Sequence, residues 1–152
     1  MDKFFNVRVY GLLVNNGRLL VSDEYCLGAY MTKLPGGGLE FGEGPIDCVV
    51  REFMEETALN ISVKSHFYTT DFFVLSQFSS KGQLISIYYE VETDDDLSKL
   101  ITVNHQYENL PTIEDAQNLR WLNLTDLKEE SMTLPVDKVV VKMLAEQIGA
   151  SL

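Results

Sequence analysis

A chain of 152 residues with 45% hydrophobic and 23% charged residues is long enough to bury a substantial core and too apolar for a disordered segment. Its formal net charge of -11 excludes a general binding surface for nucleic-acid polymers or anionic membranes, because both require a basic face. The same charge would repel a phosphate-bearing substrate unless divalent cations lie between them. These bulk features predict a single domain over residues 1–152.

Two cysteines and the N-terminal stretch bear on the cellular compartment. Cys26 and Cys48 match neither a zinc motif nor a disulfide framework. The N-terminal apolar stretch is interrupted by Asn6 and Arg8, so it is no signal-peptide core. The chain has no run of about 18 apolar residues for a membrane span. We therefore expect a reducing, cytoplasmic setting without a membrane partner.

The apolar pattern along the chain predicts a mixed sheet with one helix near the middle and one at the end, an α/β sandwich. The Asn-Asn-Gly signal at residues 15–17 predicts a hairpin. Pro45 suits the first turn of a helix that continues over Ile46–Thr57. Thr93–Gln117 has little regular pattern apart from helical character at Leu97–Ile101. The remaining predicted elements are strands at Asn6–Val14, Arg18–Ser22, Asn60–Thr70, Phe72–Phe78, Gln83–Glu92 and Asn118–Leu124, a short extended piece at Lys33–Pro35, and a helix at Pro135–Ile148.

The central helix carries three glutamates on one face. With Glu52 at 0° on a helical wheel, Glu56 lies at about 40° and Glu55 at about -60°. Like charges at these spacings repel by roughly 0.2–0.5 kcal/mol per exposed pair, so the pattern indicates a cation between them. Arg51 lies beside this acidic face at about -100°, where it would orient a carboxylate. The apolar side of the wheel is formed by Ile46, Val49, Val50, Phe53 and Met54.

A glycine-rich loop precedes this helix. Little side-chain bulk at Gly36, Gly37 and Gly38 would let backbone groups approach a diphosphate and its metal. Such a loop alone is weak evidence for a diphosphate site, because a plain turn has the same composition.

The carboxylate oxygens of the helix favour magnesium or manganese, since no histidine or thiolate supports a zinc site.

The segment Gly37–Leu59 resembles the Nudix box of the MutT-like hydrolases. In that pattern a glycine is followed after five residues by a glutamate, and after seven more residues by Arg-Glu. Two residues later comes Glu-Glu, which is followed by any residue, a glycine and an aliphatic residue. The resemblance implies a Nudix-type α/β/α sandwich around a mixed β-sheet and a pyrophosphohydrolase that uses Mg²⁺ or Mn²⁺. The residues that match in register are Gly37, Glu43, Arg51, Glu52, Phe53, Glu55, Glu56 and Leu59.

The same resemblance implies roles for the residues of the box. Glu55 and Glu56 would be metal ligands, and Glu52 would be a further ligand or the base that activates water. Gly37 would supply a backbone carbonyl to a metal, and Arg51 would orient Glu52.

The resemblance also implies supporting roles for further residues. Glu43 would brace the loop against the helix, while Gly36 and Gly38 complete the substrate loop. Many members take an additional acidic residue from a loop late in the chain, and Glu114 and Asp115 are the candidates here, with Glu114 placed in the catalytic set.

One residue departs from the family pattern. Ala58 occupies the position of a glycine just beyond the catalytic helix, where a left-handed conformation costs alanine roughly 1 kcal/mol. Asn60 tolerates that conformation better, so we expect it to end the helix slightly later. The carboxylates upstream should be unaffected.

Substrate identity and functional class remain open at this stage. The resemblance implies a small-molecule nucleotide: a nucleoside triphosphate, a nucleotide sugar or ADP-ribose. The alternative class is a non-hydrolytic nucleotide-binding sensor, although such domains typically carry an eroded box. A diphosphate isomerase is a third option without a supporting cysteine arrangement. A homodimer is compatible with the strands rich in Phe and Tyr.

Overall fold

The computed structural model describes residues 2–77 and 79–150, so the predicted limits at residues 1 and 152 lie outside the described residues. No helix among the described residues has both the length and the apolarity needed to cross a membrane. The described strands and helices are β1 Phe4–Asn15, β2 Arg18–Cys26, β3 Ala29–Lys33, β4 Gly36–Gly38, α1 Pro45–Thr57, β5 Ile61–Thr69, β6 Gly82–Thr93, β7 Gln117–Asn123 and α2 Pro135–Ala150, with short 3-10 helices at Leu97–Lys99, Leu124–Asp126 and Glu129–Ser131.

The chain divides into two compact units. The first unit runs to Leu12 and then covers Pro35–Asp95. The second unit covers Leu13–Leu34 and continues from Asp96. Strand β1 contributes residues to both units, since the division falls within it. The single domain predicted from the sequence stays a prediction.

In the first unit, α1 packs against the strand pair β1 and β4. These strands are antiparallel, with Val9 opposite Gly37, and β6 lies between β1 and β5. A Cβ atom at Gly11 would lie 2.5 Å from the Phe53 ring, so the glycine makes room for this fully buried side chain of α1. This close approach brings the backbone of β4 to the acidic face of α1.

In the second unit, β2 lies between β3 and β7 and pairs antiparallel with both. The predicted turn is confirmed, because Asn16 and Gly17 both have positive φ, as a two-residue hairpin turn requires. An isolated parallel bridge joins Val103 to Arg120. In α2, Val136, Val140 and Leu144 are buried, and their spacing of four residues places them on one face of the helix.

The strand predicted over Phe72–Phe78 is wrong for its described part, and Phe78 lies outside the described residues. Residues 72–77 contain only an isolated bridge, from Leu75 to Gln83. The side chains of Phe72 and Phe73 are exposed, so this apolar run has no core face to hold it as a strand.

Two other predictions needed correction. Strand β2 continues beyond Ser22 to Cys26, because a turn at Leu27 and Gly28, both with positive φ, returns the chain as β3. The helical character predicted over Leu97–Ile101 is limited to one 3-10 turn, capped by the side chain of Asp96.

Helix α1 has the predicted bounds. Pro45 occupies its first turn, and the Asp47 carboxylate accepts the N–H of Gly44 at 3.1 Å. The predicted apolar side is narrower than the wheel suggested, since Ile46 is 51% and Met54 is 42% exposed.

The exit of α1 corrects the expectation for Asn60. Ala58 itself adopts the left-handed conformation, with φ 61° and ψ 14°, and its N–H donates to the Met54 carbonyl at 3.0 Å. Asn60 is not available for this role, because its N–H donates to Asp95 and its carbonyl accepts from Thr93, both at 2.7 Å. The chain must therefore turn before Asn60, whatever residue stands at position 58.

We predict that Ala58→Gly stabilises the protein by about 1 kcal/mol, because glycine adopts this conformation without the Cβ penalty. Urea unfolding of wild type and variant measures the difference. The matched control is Ala145→Gly in the interior of α2, which should destabilise by about 1 kcal/mol. Destabilisation by both substitutions would contradict a strained helix exit.

Candidate active site

The backbone of β4 lies directly against two carboxylates of α1. A Cβ atom at Gly37 would lie 2.5 Å from the carboxyl carbon of Glu52, so only glycine permits this approach. The N–H of Gly36 donates to Oε2 of Glu56 at 3.3 Å. Gly36 has φ 149° and would place a Cβ atom 2.2 Å from the Val9 carbonyl oxygen. The structure therefore brings Gly36, Gly37, Glu52 and Glu56 together.

Arg51 connects the loop and the helix. Its Nε–H and Nη2–H donate to the two carboxylate oxygens of Glu43 at 3.0 and 2.7 Å. Its Nη1–H groups donate to Glu52 at 3.0 Å and to Glu55 at 3.1 Å. A further Nη2–H bond of 3.1 Å reaches the carbonyl of Gly38. One guanidinium thus fixes three carboxylates and one loop carbonyl.

The charge balance at this site is strongly acidic. Hydrogen bonds from Arg51, and then from the backbone N–H of Glu40, lower the pKa of Glu43 to about 2. The surrounding carboxylates, Glu43 first, raise the pKa of Arg51. The exposed carboxylate of Glu40 lies 3.7 Å from the same guanidinium. Negative charge exceeds positive charge around α1, which favours divalent cations.

The donor set fits a hard cation. Cys48 is fully buried beneath the loop, with Sγ 3.5 Å from the Gly38 carbonyl oxygen and 3.9 Å from that of Gly37. Burial, followed by the nearby Glu43, raises the pKa of this thiol to about 12. The groups that remain for coordination are oxygens, as magnesium and manganese prefer, and the glycine at position 37 lets the Glu52 carboxylate lie against the loop backbone.

Glu114 belongs to the second unit. Both of its carboxylate oxygens accept the N–H of Leu27 at 2.9 Å. Among the residues that the structure describes, Cys26, Glu114 and Asp115 form the one group of three whose potential ligand atoms all lie within 4.8 Å of one another. The α1 carboxylates are more widely spaced. The catalytic role of Glu114 stays a prediction.

Sequence reasoning missed a buried polar network in the second unit. Asp23 is completely buried and accepts two hydrogen bonds from Arg120, at 2.8 and 3.0 Å. It also accepts from the hydroxyl of Thr32 at 2.7 Å and from the N–H of Tyr107 at 3.2 Å. The available signal was a carboxylate that follows the apolar run Leu19–Val21 in the same strand, but its partner lies 97 positions away.

Known proteins resemble this chain in sequence pattern and in structure. The family model of the NUDIX domain matches residues 4–143. A Nudix hydrolase from Nitrosomonas europaea is 15% identical, with a TM-score of 0.68, over 97% of this chain and 72% of that chain. The ORF135 protein of E. coli is 17% identical, with a TM-score of 0.68, over 97% of this chain and 94% of that one.

A third solved structure, the MutT protein of Methanosarcina mazei Go1, is 18% identical, with a TM-score of 0.67, over 97% of both chains. At these identities the likeness shows the fold, and it confirms the predicted α/β/α sandwich around a mixed sheet. The family match extends over most of the chain. The chain therefore belongs to the Nudix family, whose members hydrolyse nucleoside diphosphate derivatives, and is a pyrophosphohydrolase of that family.

Proposed function

We propose that the chain uses Mg²⁺ or Mn²⁺ to hydrolyse a nucleoside diphosphate linked to another group, by attack of water at phosphorus. The candidate substrates are a nucleoside triphosphate, a nucleotide sugar or ADP-ribose. The observation that supports this proposal is the contact between the loop backbone at Gly36 and Gly37 and the carboxylates of Glu56 and Glu52. Such a contact sets acidic oxygens and backbone groups at one place, where a metal-bound diphosphate needs both.

The residues that would hold the metal are Glu52, Glu55, Glu56 and the backbone carbonyl of Gly37. When bound, the cation would neutralise diphosphate charge and lower the pKa of a coordinated water. Glu52 is either a ligand or the base that accepts the proton of the attacking water. Its hydrogen bond from Arg51 fixes the orientation of the carboxylate for either role.

The supporting residues act through Arg51. Glu43 accepts two N–H groups of Arg51, so the remaining N–H groups of Arg51 are directed toward Glu52 and Glu55. The Gly38 carbonyl accepts a further N–H of Arg51, and this hydrogen bond keeps the loop close to the helix. Glu114, from the second unit, is proposed as an additional acidic residue that positions or activates water.

The remaining proposals concern partners and setting. The net charge of -11 opposes a nucleic-acid polymer as partner, and divalent cations would let a small nucleotide bind despite it. Both cysteines are free thiols in the described structure, which agrees with the proposed cytoplasmic setting. A homodimer stays a prediction.

A hydrolysis panel tests the function. Wild-type protein is assayed with nucleoside triphosphates, nucleotide sugars and ADP-ribose, with Mg²⁺ and with a chelator. We expect turnover of at least one class with the metal and none with the chelator. Tight binding of a nucleotide without turnover across the whole panel would favour the sensor instead.

In the same assay, Glu56→Gln should lower kcat by several orders of magnitude, because it removes a charged ligand while keeping the shape of the side chain. Circular dichroism should show a folded protein. The matched control is Glu146→Gln on the exposed side of α2, which should retain wild-type activity. Near-normal turnover by Glu56→Gln would refute the metal assignment.

Neighbouring glycines provide a second comparison. Gly37→Ala should lower kcat by about 100-fold, because its Cβ atom would displace the carboxylate of Glu52. Gly38→Ala should have a much smaller effect, since its nearest neighbour is Nη1 of Arg8 at 3.6 Å, an ordinary contact. Equal losses in the two variants would show that loop flexibility, and not the approach to Glu52, determines activity.

A further inference from the structure

A cavity of about 640 Å³ opens on the second unit, between β7 and the 3-10 helices at Leu124–Asp126 and Glu129–Ser131. Its volume lies in the range of small-molecule sites. None of its lining residues belongs to the glycine loop or to α1. A ligand here would therefore engage side chains that the proposed hydrolysis does not use.

One residue of the lining, Arg120, has its guanidinium held in a fixed orientation. The side chain of Arg120 is only 10% exposed, and its Nε–H and one Nη2–H donate to Asp23. Asp23 thus occupies one edge of the guanidinium and leaves three N–H groups that it does not use. A buried ion pair contributes little to stability, whereas a preoriented guanidinium edge is well suited to bind an oxyanion in a bidentate manner.

The same carboxylate network orients a second polar group of the wall. Gln106 donates from Nε2 to the hydroxyl of Thr32 at 2.9 Å, and that hydroxyl donates to Asp23 at 2.7 Å. The carboxamide of Gln106 therefore has its donor side engaged and its oxygen left as an acceptor. The residues that line the cavity thus include an oriented donor, Arg120, and an oriented acceptor, Gln106.

The charges of the other lining residues restrict the ligand. Asp126, Lys128 and Glu130 are exposed residues of the lining. With Arg120, the lining has two positive and two negative side chains, and Asp23 behind Arg120 adds a further negative charge, so the cavity has no excess positive charge to hold a polyphosphate. This balance favours one anionic group at the guanidinium and a neutral or cationic remainder near the acidic side chains.

We propose that this cavity binds a small carboxylate that also carries an ammonium or hydroxyl group. The carboxylate pairs with the free edge of Arg120, and the remainder of the ligand contacts the oxygen of Gln106 and the acidic side chains of the lining. The site is independent of the proposed metal centre, so either assignment can fail without the other.

The test changes the charge of the cavity without removing Arg120, whose loss would leave Asp23 buried without its cation. Ser131 lines the cavity, and its Oγ accepts the N–H of Lys128 at 3.2 Å. Aspartate and asparagine both offer an oxygen for that bond. Ser131→Asp thus adds a negative charge, and Ser131→Asn is its matched neutral control.

The full chain, labelled with ¹⁵N, is titrated in chelator with glycine, acetate and inorganic phosphate while amide NMR shifts are recorded. We expect saturable shifts at residues that line the cavity, at lower concentration for glycine than for acetate and weakest for phosphate. Ser131→Asp should weaken glycine binding by at least about tenfold because like charges repel, while Ser131→Asn leaves it nearly unchanged.

Three results would overturn the proposal. One is the absence of saturable shifts at the cavity with every probe. Another is tighter binding of phosphate than of glycine and acetate. The third is equal affinity of the Ser131→Asp and Ser131→Asn variants for glycine, since a carboxylate at Arg120 must respond to a neighbouring negative charge.

Discussion

The arrangement of the active site depends on the hydrogen bonds of Arg51. Its guanidinium is the one cation among the box residues, and it donates to Glu43, Glu52 and Glu55 as well as to the loop. Without it, glutamates at helical spacings of three and four would repel and turn toward solvent. With it, Glu52 is only 14% exposed at its side chain and retains a defined orientation. The guanidinium of Arg51 orients the acidic side chains, but the face keeps an excess of negative charge. That excess favours the binding of a divalent cation.

Packing provides the second constraint on the site. The ring of Phe53 packs directly against Gly11, so α1 lies close to β1. Gly37 then contacts the carboxylate of Glu52 with no side chain between them. Any larger residue at either glycine would separate helix and strand by roughly the size of a methyl group. The close approach therefore links the core of the first unit to the geometry of its carboxylates. Core packing and the proposed metal site depend on the same two glycines.

Local signals in the sequence predicted parts of both units. Pro45 and the spacing of the glutamates identified α1, and the Asn16-Gly17 turn identified the first hairpin. Contacts distant in sequence were beyond such signals. The wheel could not show that Ile46 would be exposed, and no local pattern links Asp23 to Arg120. The left-handed Ala58 was misjudged because the bonds that fix Asn60 come from the end of β6 and the residues that follow it.

We propose that the acidic face of α1 and the adjacent loop bind the divalent cation. Paramagnetic relaxation by Mn²⁺ locates such an ion directly in the ¹⁵N-labelled protein. Low Mn²⁺ concentrations should broaden the amide signals of residues 36–38 and 52–56 most strongly, and Mg²⁺ should reverse the effect by competition. Broadening centred on Cys26, Glu114 and Asp115, with the α1 signals unaffected, would show that the cation binds elsewhere.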